Sequence, residues 1–140
     1  MKQIVQLIAN AKHPVMLVGY GCEKYRAAFP VFADIMDMPV LLTWRAMDLL
    51  PADNFYNAGR PGMIGQPEAH KRLMKADVVL CIGARLDVET VAFDYAKFAP
   101  RAVKIVVDID KAELDKLPAD WVKVQMDAGV FMETMTKVEW

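Results

Sequence analysis

Four short segments combine glycine with charged side chains, the residue types that bind phosphate and ribose groups. They are Gly19-Tyr20-Gly21, Gly59–Gly65, Gly83–Asp87 and Asp108-Ile109-Asp110. Glycine lets backbone N–H groups approach a phosphate, arginine pairs with a phosphate in bidentate fashion, and a carboxylate accepts hydrogen bonds from ribose hydroxyls. The segments therefore indicate a nucleotide site, provided that the fold brings them to one edge.

The two glycine-rich segments also have structural explanations. Gly19 and Gly21 form either a phosphate-binding turn or a tight turn that needs a positive φ. The Gly59–Gly65 segment runs into a helix that begins at Pro67, so it is either an anion cradle assisted by Arg60 or a plain loop.

The two charged segments have alternatives of the same kind. Arg85 could bind a phosphate, or it could form an ion pair with Asp87 or with a helix. Asp110 could bind a ribose, or it could cap the helical turn that starts at Lys111.

A nicotinamide dinucleotide fingerprint is incomplete in this chain. Position 24, where a third glycine would stand, is Lys24. The end of the second predicted strand carries Thr43, Trp44 and Arg45 instead of an acid. A small dehydrogenase is therefore disfavoured.

The hydrophobic pattern alternates short apolar runs with amphipathic segments. Strands are predicted at Val15–Val18, Pro39–Thr43, Asp77–Ile82, Val103–Ile109 and Trp121–Gln125. Helices are predicted at Lys2–Ala11, Cys22–Asp37 with a break at Pro30, Pro67–Lys75, Asp87–Phe98, Lys111–Lys116 and Ala128–Lys137. This alternation predicts an α/β fold, doubly wound, with a mostly parallel sheet and helices on both faces, in a single domain over residues 1–140.

Charge and composition exclude several classes of partner. The 140 residues carry 17 basic and 18 acidic side chains, for a net charge of -1. That balance predicts neither a nucleic-acid partner nor a membrane partner. No signal peptide or membrane-length apolar run is visible, and no metal-ligand spacing is present. Cys22 and Cys81 are predicted to be packed, reduced thiols, which favours a cytoplasmic location.

These motifs, in this order, resemble the central domain of thiamine-diphosphate-dependent enzymes of the acetolactate synthase and pyruvate oxidase type. The resemblance covers about Ile4 to Met135. Its most specific stretch is RPGMIGQPEAHKRLMKADVVLCIGARLD over Arg60–Asp87, flanked by AKHPVMLVGYG, MPVLLTW and VDID.

The resemblance implies a six-stranded Rossmann-like domain between two thiamine-binding domains that carry the chemistry. It implies a parent lyase or transferase that acts on 2-oxo acids, forms a homo-oligomer and uses thiamine diphosphate and magnesium. The seven glycines of this chain never form the Gly-Asp-Gly motif of the family's magnesium site. No catalytic or metal-ligating residue is therefore assigned here.

FAD or ADP is implied as a ligand of the central domain in some members of the family. The positions that match its nucleotide site are Gly19, Gly21, Gly62, Met63, Gly65, Gly83, Arg85, Asp108 and Asp110. The alternatives are a stand-alone nucleotide-binding module and a scaffold without catalysis.

Overall fold

The structure is a computed structural model that describes residues 1–91 and 94–140, without the side chains of residues 88 and 89. Strands and helices alternate along the chain. The strands are β1 (Pro14–Val18), β2 (Val40–Leu42), β3 (Val78–Ile82), β4 (Val103–Asp108) and β5 (Val122–Gln125). The helices are α1 (Lys2–Ala9), α2 (Phe29–Met36), α3 (Pro67–Lys75), α4 (Val88–Val91), α5 (Lys111–Asp115) and α6 (Ala128–Thr136).

The strands form one sheet in the order β2-β1-β3-β4-β5, and every neighbouring pair is parallel. Such a sheet needs both faces covered, so the strands β1, β2 and β3 are continuously apolar, whereas the edge strand β5 alternates apolar and polar residues. All five residues of β3 are buried, for example. The predicted α/β class with a parallel sheet is confirmed.

The six-stranded sheet implied by the resemblance is wrong by one strand in the described residues. The segment Tyr56–Gly59 lies along the outer edge of β2 but makes only one parallel bridge, from Val40 to Asn57. Its backbone bonds are Val40 N to Tyr56 O at 2.8 Å, Ala58 N to Val40 O at 2.8 Å and Leu42 N to Gly59 O at 2.9 Å. It protects this edge without continuing as a strand, because Gly59 turns away with φ of 88°.

The predicted break at Pro30 is confirmed. A short 3-10 turn covers Tyr20–Tyr25, and α2 starts only at Phe29 with Pro30 in its first turn. Proline fits there because the first turn of a helix needs no N–H from it.

The predicted helix over Asp87–Phe98 is wrong in its length. The described part contains the one-turn α4 and a 3-10 turn at Tyr95–Lys97, which the Asp94 side chain caps. The rest of this prediction falls on residues 92 and 93, outside the described residues.

Two apolar layers hold the helices on opposite faces of the sheet. Alternate residues of β1 point to opposite layers, with Met16 and Val18 on one side and Val15 and Leu17 on the other. The first layer also receives α1, α2 and α6, and the second receives α3, α4 and α5. Helices on both faces leave the two ends of the sheet open for binding.

Candidate functional site

A cleft of about 720 Å³ opens at the carboxyl ends of the strands. In parallel sheets this edge is where ligands bind, because the strand-to-helix turns meet there. The lining residues come from the ends of all five strands: Tyr20, Gly21, Glu23, Lys24, Thr43, Trp44, Arg45, Pro61, Gly83, Arg85, Asp87, Thr90, Val107, Asp108, Ile109, Asp110, Glu113, Met126, Asp127 and Ala128.

Five of the nine residues predicted from the sequence line this cleft: Gly21, Gly83, Arg85, Asp108 and Asp110. The other four do not. Gly19 lies beside it in the turn after β1, whereas Gly62, Met63 and Gly65 belong to a loop that reaches the cleft only through Pro61.

The turns after β1 and β3 are in direct backbone contact. A β-carbon on Gly19 would lie 2.4 Å from the α-carbon of Ala84. The N–H of Gly21 donates to the carbonyl of Gly83 at 3.0 Å. A positive φ is not the reason for Gly19, whose φ is -118°, so the suggested left-handed turn is wrong there. Glycine is required at position 19 because two main chains approach each other closely there. Of Gly19, Gly21 and Gly83, only Gly83 has a positive φ, of 55°.

The loop before α3 is folded by its own hydrogen bonds. Gln66 donates its N–H to the carbonyl of Arg60 at 2.7 Å, and its side-chain oxygen accepts from the N–H of Arg60 at 2.8 Å. A β-carbon on Gly65 would collide with the Arg60 carbonyl at 2.4 Å. Gly62 has a φ of 117°, and Met63 is exposed. Gly62 and Gly65 are therefore required by the backbone conformation and packing of this loop.

The guanidinium of Arg60 does not face the cleft as the anion-cradle hypothesis expects. It lies 5.3 Å from the centroid of the Trp44 ring, and its Nε is buried without a hydrogen-bond partner among the described residues. Arg60 therefore serves to pack the glycine loop against Trp44.

Arg85, Asp108 and Asp110 combine cleft-lining positions with local contacts. Nε of Arg85 lies 3.7 Å from a carboxylate oxygen of Glu113 on α5. This contact is the ion pair with a helix that was the alternative to phosphate binding. One oxygen of Asp108 accepts from the N–H of Asp110, and Asp110 accepts from the N–H of Ala112 to cap α5. Each carboxylate keeps one oxygen for a ligand, and Arg85 stays mostly exposed.

A polar cluster that the sequence motifs did not indicate lies where β5 ends. Asp127 caps α6 by accepting from the N–H of Gly129 at 2.9 Å, and it also accepts from the Tyr25 hydroxyl. Nζ of Lys24 lies 3.1 Å from its second oxygen. These partners lower the pKa of Asp127 to about 2. The Tyr25 hydroxyl contributes most to the lowering, followed by Lys24 and the backbone N–H groups. The available signal was an aspartate immediately before a predicted helix, two residues after a predicted strand.

A cationic and aromatic rim completes the opposite wall. The guanidinium of Arg45 lies 4.0 Å from the centroid of the Tyr20 ring. Both follow strand ends, in the turns after β2 and β1. Their stacking leaves a flat, positively charged surface suited to a planar ring or a phosphate.

The cleft lining carries more negative than positive charge. Its carboxylates are Glu23, Asp87, Asp108, Asp110, Glu113 and Asp127, and its cations are Lys24, Arg45 and Arg85. Within the lining, Lys24 pairs with Asp127 and Arg85 with Glu113. Two cations outside the lining, Arg26 beside Glu23 and Lys116 beside Glu113, neutralise part of the excess. An incoming anion has to compete with Glu113 for Arg85.

The part of the chain that the structure describes holds no group of three metal-ligating side chains, and none of its helices has the length and apolar character to span a membrane.

Comparison with known proteins places the chain among enzyme central domains. The family model "Thiamine pyrophosphate enzyme, central domain" matches residues 1–135. Similar proteins include the acetolactate synthase large subunit of Corynebacterium glutamicum, 37% identical over 130 residues, which are 91% of this chain and 21% of that protein. The chloroplastic acetolactate synthase of Arabidopsis thaliana is 32% identical over 138 residues, 99% of this chain and 20% of that protein.

A third relative is the acetolactate synthase isozyme 1 large subunit of Escherichia coli, 29% identical over 147 residues, covering 100% of this chain and 26% of that protein. The chain thus spans about a fifth to a quarter of the length of these relatives. With a family model matched over nearly its full length and a parallel sheet whose strand ends form one cleft, this chain belongs to the family of thiamine pyrophosphate enzyme central domains.

Proposed function

We propose that this chain works as the central domain of an acetolactate-synthase-like enzyme that uses thiamine diphosphate on 2-oxo acids. Support comes from the family match over residues 1–135 and from relatives named as acetolactate synthases. In this proposal the parent is a lyase or transferase, and its two neighbouring domains hold thiamine diphosphate and magnesium. The absence of a Gly-Asp-Gly sequence in this chain supports that division.

The cleft at the carboxyl edge is proposed to hold FAD or ADP. The observation that carries this is the convergence of Gly21, Gly83, Arg85, Asp108 and Asp110 on one opening of about 720 Å³, a size typical of ligand sites. The residues fit the chemistry of such a ligand. Arg85 would pair with a phosphate, and the free carboxylate oxygens of Asp108 and Asp110 would accept from ribose hydroxyls.

Close backbone packing at the floor of the cleft supports the same ligand. Gly21 and Gly83 carry no side chains, so the turns after β1 and β3 pack directly against each other and form the floor of the cleft. The Tyr20–Arg45 pair offers a stacking surface for a flavin or adenine ring.

A scaffold role accompanies the nucleotide role in this proposal. Val31 and Ile35 on α2 are 63% and 39% exposed, and Val130 on the adjacent α6 is 52% exposed. A helix that is apolar on its outer face as well as its inner face is typical of buried helices. These side chains are suited to packing against a neighbouring domain or a second copy, consistent with a homo-oligomeric parent.

A reducing, cytoplasmic setting is proposed as well. Cys22 and Cys81 are both free and buried in the structure. Cysteines of proteins in that compartment are ordinarily reduced thiols without a disulfide partner.

Thermal unfolding with and without FAD or ADP tests the nucleotide site. At a free ligand concentration of about 100 times Kd, we expect about 2.7 kcal/mol of stabilisation. Arg85→Ala should remove most of this gain. Arg101→Ala is the matched control, since Arg101 is exposed at the opposite edge of the sheet, and it should keep the gain. Unchanged melting temperatures with both ligands would refute the nucleotide site and leave the scaffold role.

The enzymatic part of the proposal is tested on the full-length natural protein. Acetolactate formation from a 2-oxo acid should depend on added thiamine diphosphate and magnesium. A full-length protein that binds no thiamine diphosphate would refute the assignment of the parent.

A further inference from the structure

A second cleft, of about 680 Å³, lies at the amino ends of the strands, opposite the candidate nucleotide site. Its lining is Lys12, His13, Pro14, Val15, Pro39, Glu68, Lys71, Arg72, Lys75 and Arg101. Five of these residues are lysine or arginine and one is a carboxylate. The whole chain has a net charge of -1, so this positive charge is a local concentration. We refer to this opening as the basic cleft.

Four of the five cations of the basic cleft have no ion pair, side-chain hydrogen bond or aromatic partner among the described residues, and Lys71, which pairs with Glu68, is the fifth. Among the described residues, most of the 17 lysines and arginines have an ion pair, a side-chain hydrogen bond or an aromatic ring. The exceptions in that part of the chain are Lys2, Lys12, Arg72, Lys75 and Arg101. All but Lys2 line the basic cleft.

The carboxylates nearby do not neutralise these cations. Glu68 pairs with Nζ of Lys71 at 2.9 Å and also attracts Lys75 and Arg72, so a single carboxylate stands against five cations. Asp77 accepts from the backbone N–H groups of Lys12 and His13, at 2.6 and 2.9 Å. Arg72 and Lys75 lie in the last turn of α3, where positive charge stabilises the helix dipole. This explanation does not apply to Lys12 and Arg101, which belong to other segments of the chain. Unpaired like charges that converge from three segments point to an acidic binding partner.

The geometry of the basic cleft favours a protein over a small phosphate compound. The amino ends of helices attract phosphate, but the first turn of α3 contributes the carboxylate of Glu68 to this cleft, which repels an anion, and Arg72 and Lys75 lie in its last turn. The N–H groups of Lys12 and His13 are taken by Asp77, so they cannot cradle an anion. What remains is a set of long, flexible side chains, which suits the charged rim of a protein interface.

An aromatic anchor beside the basic cleft gives the same indication. Phe55 is 89% exposed and packs edge-on against Tyr56 with ring centroids 5.1 Å apart. Together they border a groove of about 300 Å³ that shares Pro39 and Arg72 with the basic cleft. An exposed phenylalanine and a tyrosine next to an arginine, at a groove of mixed polar and apolar lining, are residue types enriched at protein–protein interfaces.

We propose that the basic cleft and the Phe55 groove together form a docking surface for an acidic protein segment that carries an apolar anchor residue. The acidic side chains pair with Lys12, Lys75 and Arg101, and the anchor enters the groove beside Phe55. Arg72 lines both openings and contacts both parts of the segment. This surface is separate from the candidate nucleotide site, which occupies the other end of the sheet.

The probe is a fluorescein-labelled 12-residue peptide of glutamates and aspartates with one central leucine, titrated into the 140-residue chain and followed by anisotropy and by amide shifts in NMR spectra. We expect saturable binding that weakens with salt, because Coulomb attraction is screened. Shifts should cluster at Lys12, Arg72, Lys75, Arg101 and Phe55. Replacing the leucine by serine should weaken binding to the wild type, and Phe55→Ala should abolish that difference.

The double variant Lys12→Glu with Lys75→Glu should weaken binding by about fivefold or more, because it turns two attractive charges into repulsive ones. Lys2→Glu is the matched control, because Lys2 is an exposed and unpaired lysine outside the basic cleft, and it should change affinity by less than about twofold. Circular dichroism verifies that each variant is folded.

Equal losses in the control and the double variant would overturn the proposal by showing nonspecific attraction. Absence of peptide binding would overturn it as well. Tighter binding of tripolyphosphate than of the peptide at the same residues would replace the protein partner with a small anion. Self-association that blocks the peptide and is lost in the double variant would replace it with a second copy. Binding of FAD or ADP is measured separately, so failure of either proposal is distinguishable from failure of the other.

Discussion

Gly21 and Gly83 are packed backbone against backbone at the floor of the carboxyl-edge cleft. A β-carbon on Gly21 would lie 2.7 Å from the α-carbon of Gly83, and a β-carbon on Gly83 would lie 2.8 Å from that of Gly21. The contact joins the turn after β1 to the turn after β3 at the point where these neighbouring strands end. The shape of the cleft therefore depends on two residues without side chains.

Alanine at either glycine should destabilise the chain. For Gly83→Ala we expect a loss of about 2 kcal/mol or more in the free energy of unfolding, since the left-handed φ of 55° adds about 1 kcal/mol of strain to the collision. Gly21→Ala should cost less, because only the collision applies. Urea unfolding measures both. A Gly21→Ala midpoint equal to the wild-type midpoint would show that the contact is looser than described.

Asp127 should make stability depend on pH at the acid end. The Tyr25 hydroxyl and its other partners lower the pKa of Asp127 to about 2 in the folded chain, below its ordinary value of 3.8. The stability from this group is therefore complete above about pH 4 and is lost as pH falls toward 2. Tyr25→Phe should raise this pKa toward 3.8, measured by carboxyl carbon NMR. Asp53→Asn, at an exposed loop position, serves as the control and should leave it unchanged.

Loss of the cap itself is a separate prediction. Asp127→Ala removes the acceptor for the N–H groups of Gly129 and Val130 and should cost about 1–2 kcal/mol at pH 7. Asp127→Asn keeps an acceptor and should cost less. Denaturation at pH 7 measures both, and an alanine variant as stable as the asparagine variant would contradict the cap.

Both cysteines should be unreactive in the folded chain. Burial raises the pKa of Cys22 and of Cys81 to about 12, so the thiolate is scarce at pH 8. We expect modification by a thiol reagent to follow unfolding, with two thiols released in urea and almost none without it. Fast labelling of either cysteine in buffer would show that its site opens readily.

Lys104 is a charged residue inside the second apolar layer, and its replacement should be tolerated. Its side chain is largely buried, with Nζ 5.6 Å from the centroid of the Trp121 ring. Desolvation lowers the pKa of this lysine from 10.5, although Asp120 opposes the shift. Lys104→Met should therefore be as stable as the wild type at pH 7, or more stable by about 1 kcal/mol.

The pH dependence of Lys104 has a definite sign. Between its lowered folded pKa and 10.5 the unfolded chain binds more protons than the folded chain, so stability from this group rises with pH. Lys104→Met should lose that rise in denaturation experiments at pH values approaching 10.5. An identical pH profile in the variant would mean that Lys104 reaches water.

The sequence by itself determined the class of fold and the positions of its strands. Short apolar runs such as Val78–Ile82, bounded by Asp77 and Gly83, favour strands that are covered on both faces. Pro30 and Pro67 favour helix starts through their missing N–H groups. The count of strands was not determined in this way. Tyr56–Gly59 has neither an apolar run nor a strand's length, and only its hydrogen bonds to β2 show that it closes the sheet edge.

Tertiary structure alone decided which residues share a site. Strand order brought Gly21 and Gly83 together across 62 residues of sequence, and it left Gly62, Met63 and Gly65 in a loop beside the cleft. The packing of distant elements also brings Asp127 into contact with Tyr25. It likewise gathers Lys12, Lys75 and Arg101 in one cleft. Local patterns encode the elements because the helix and strand periods are local properties. Sites depend on how distant elements pack, which no short stretch of sequence specifies.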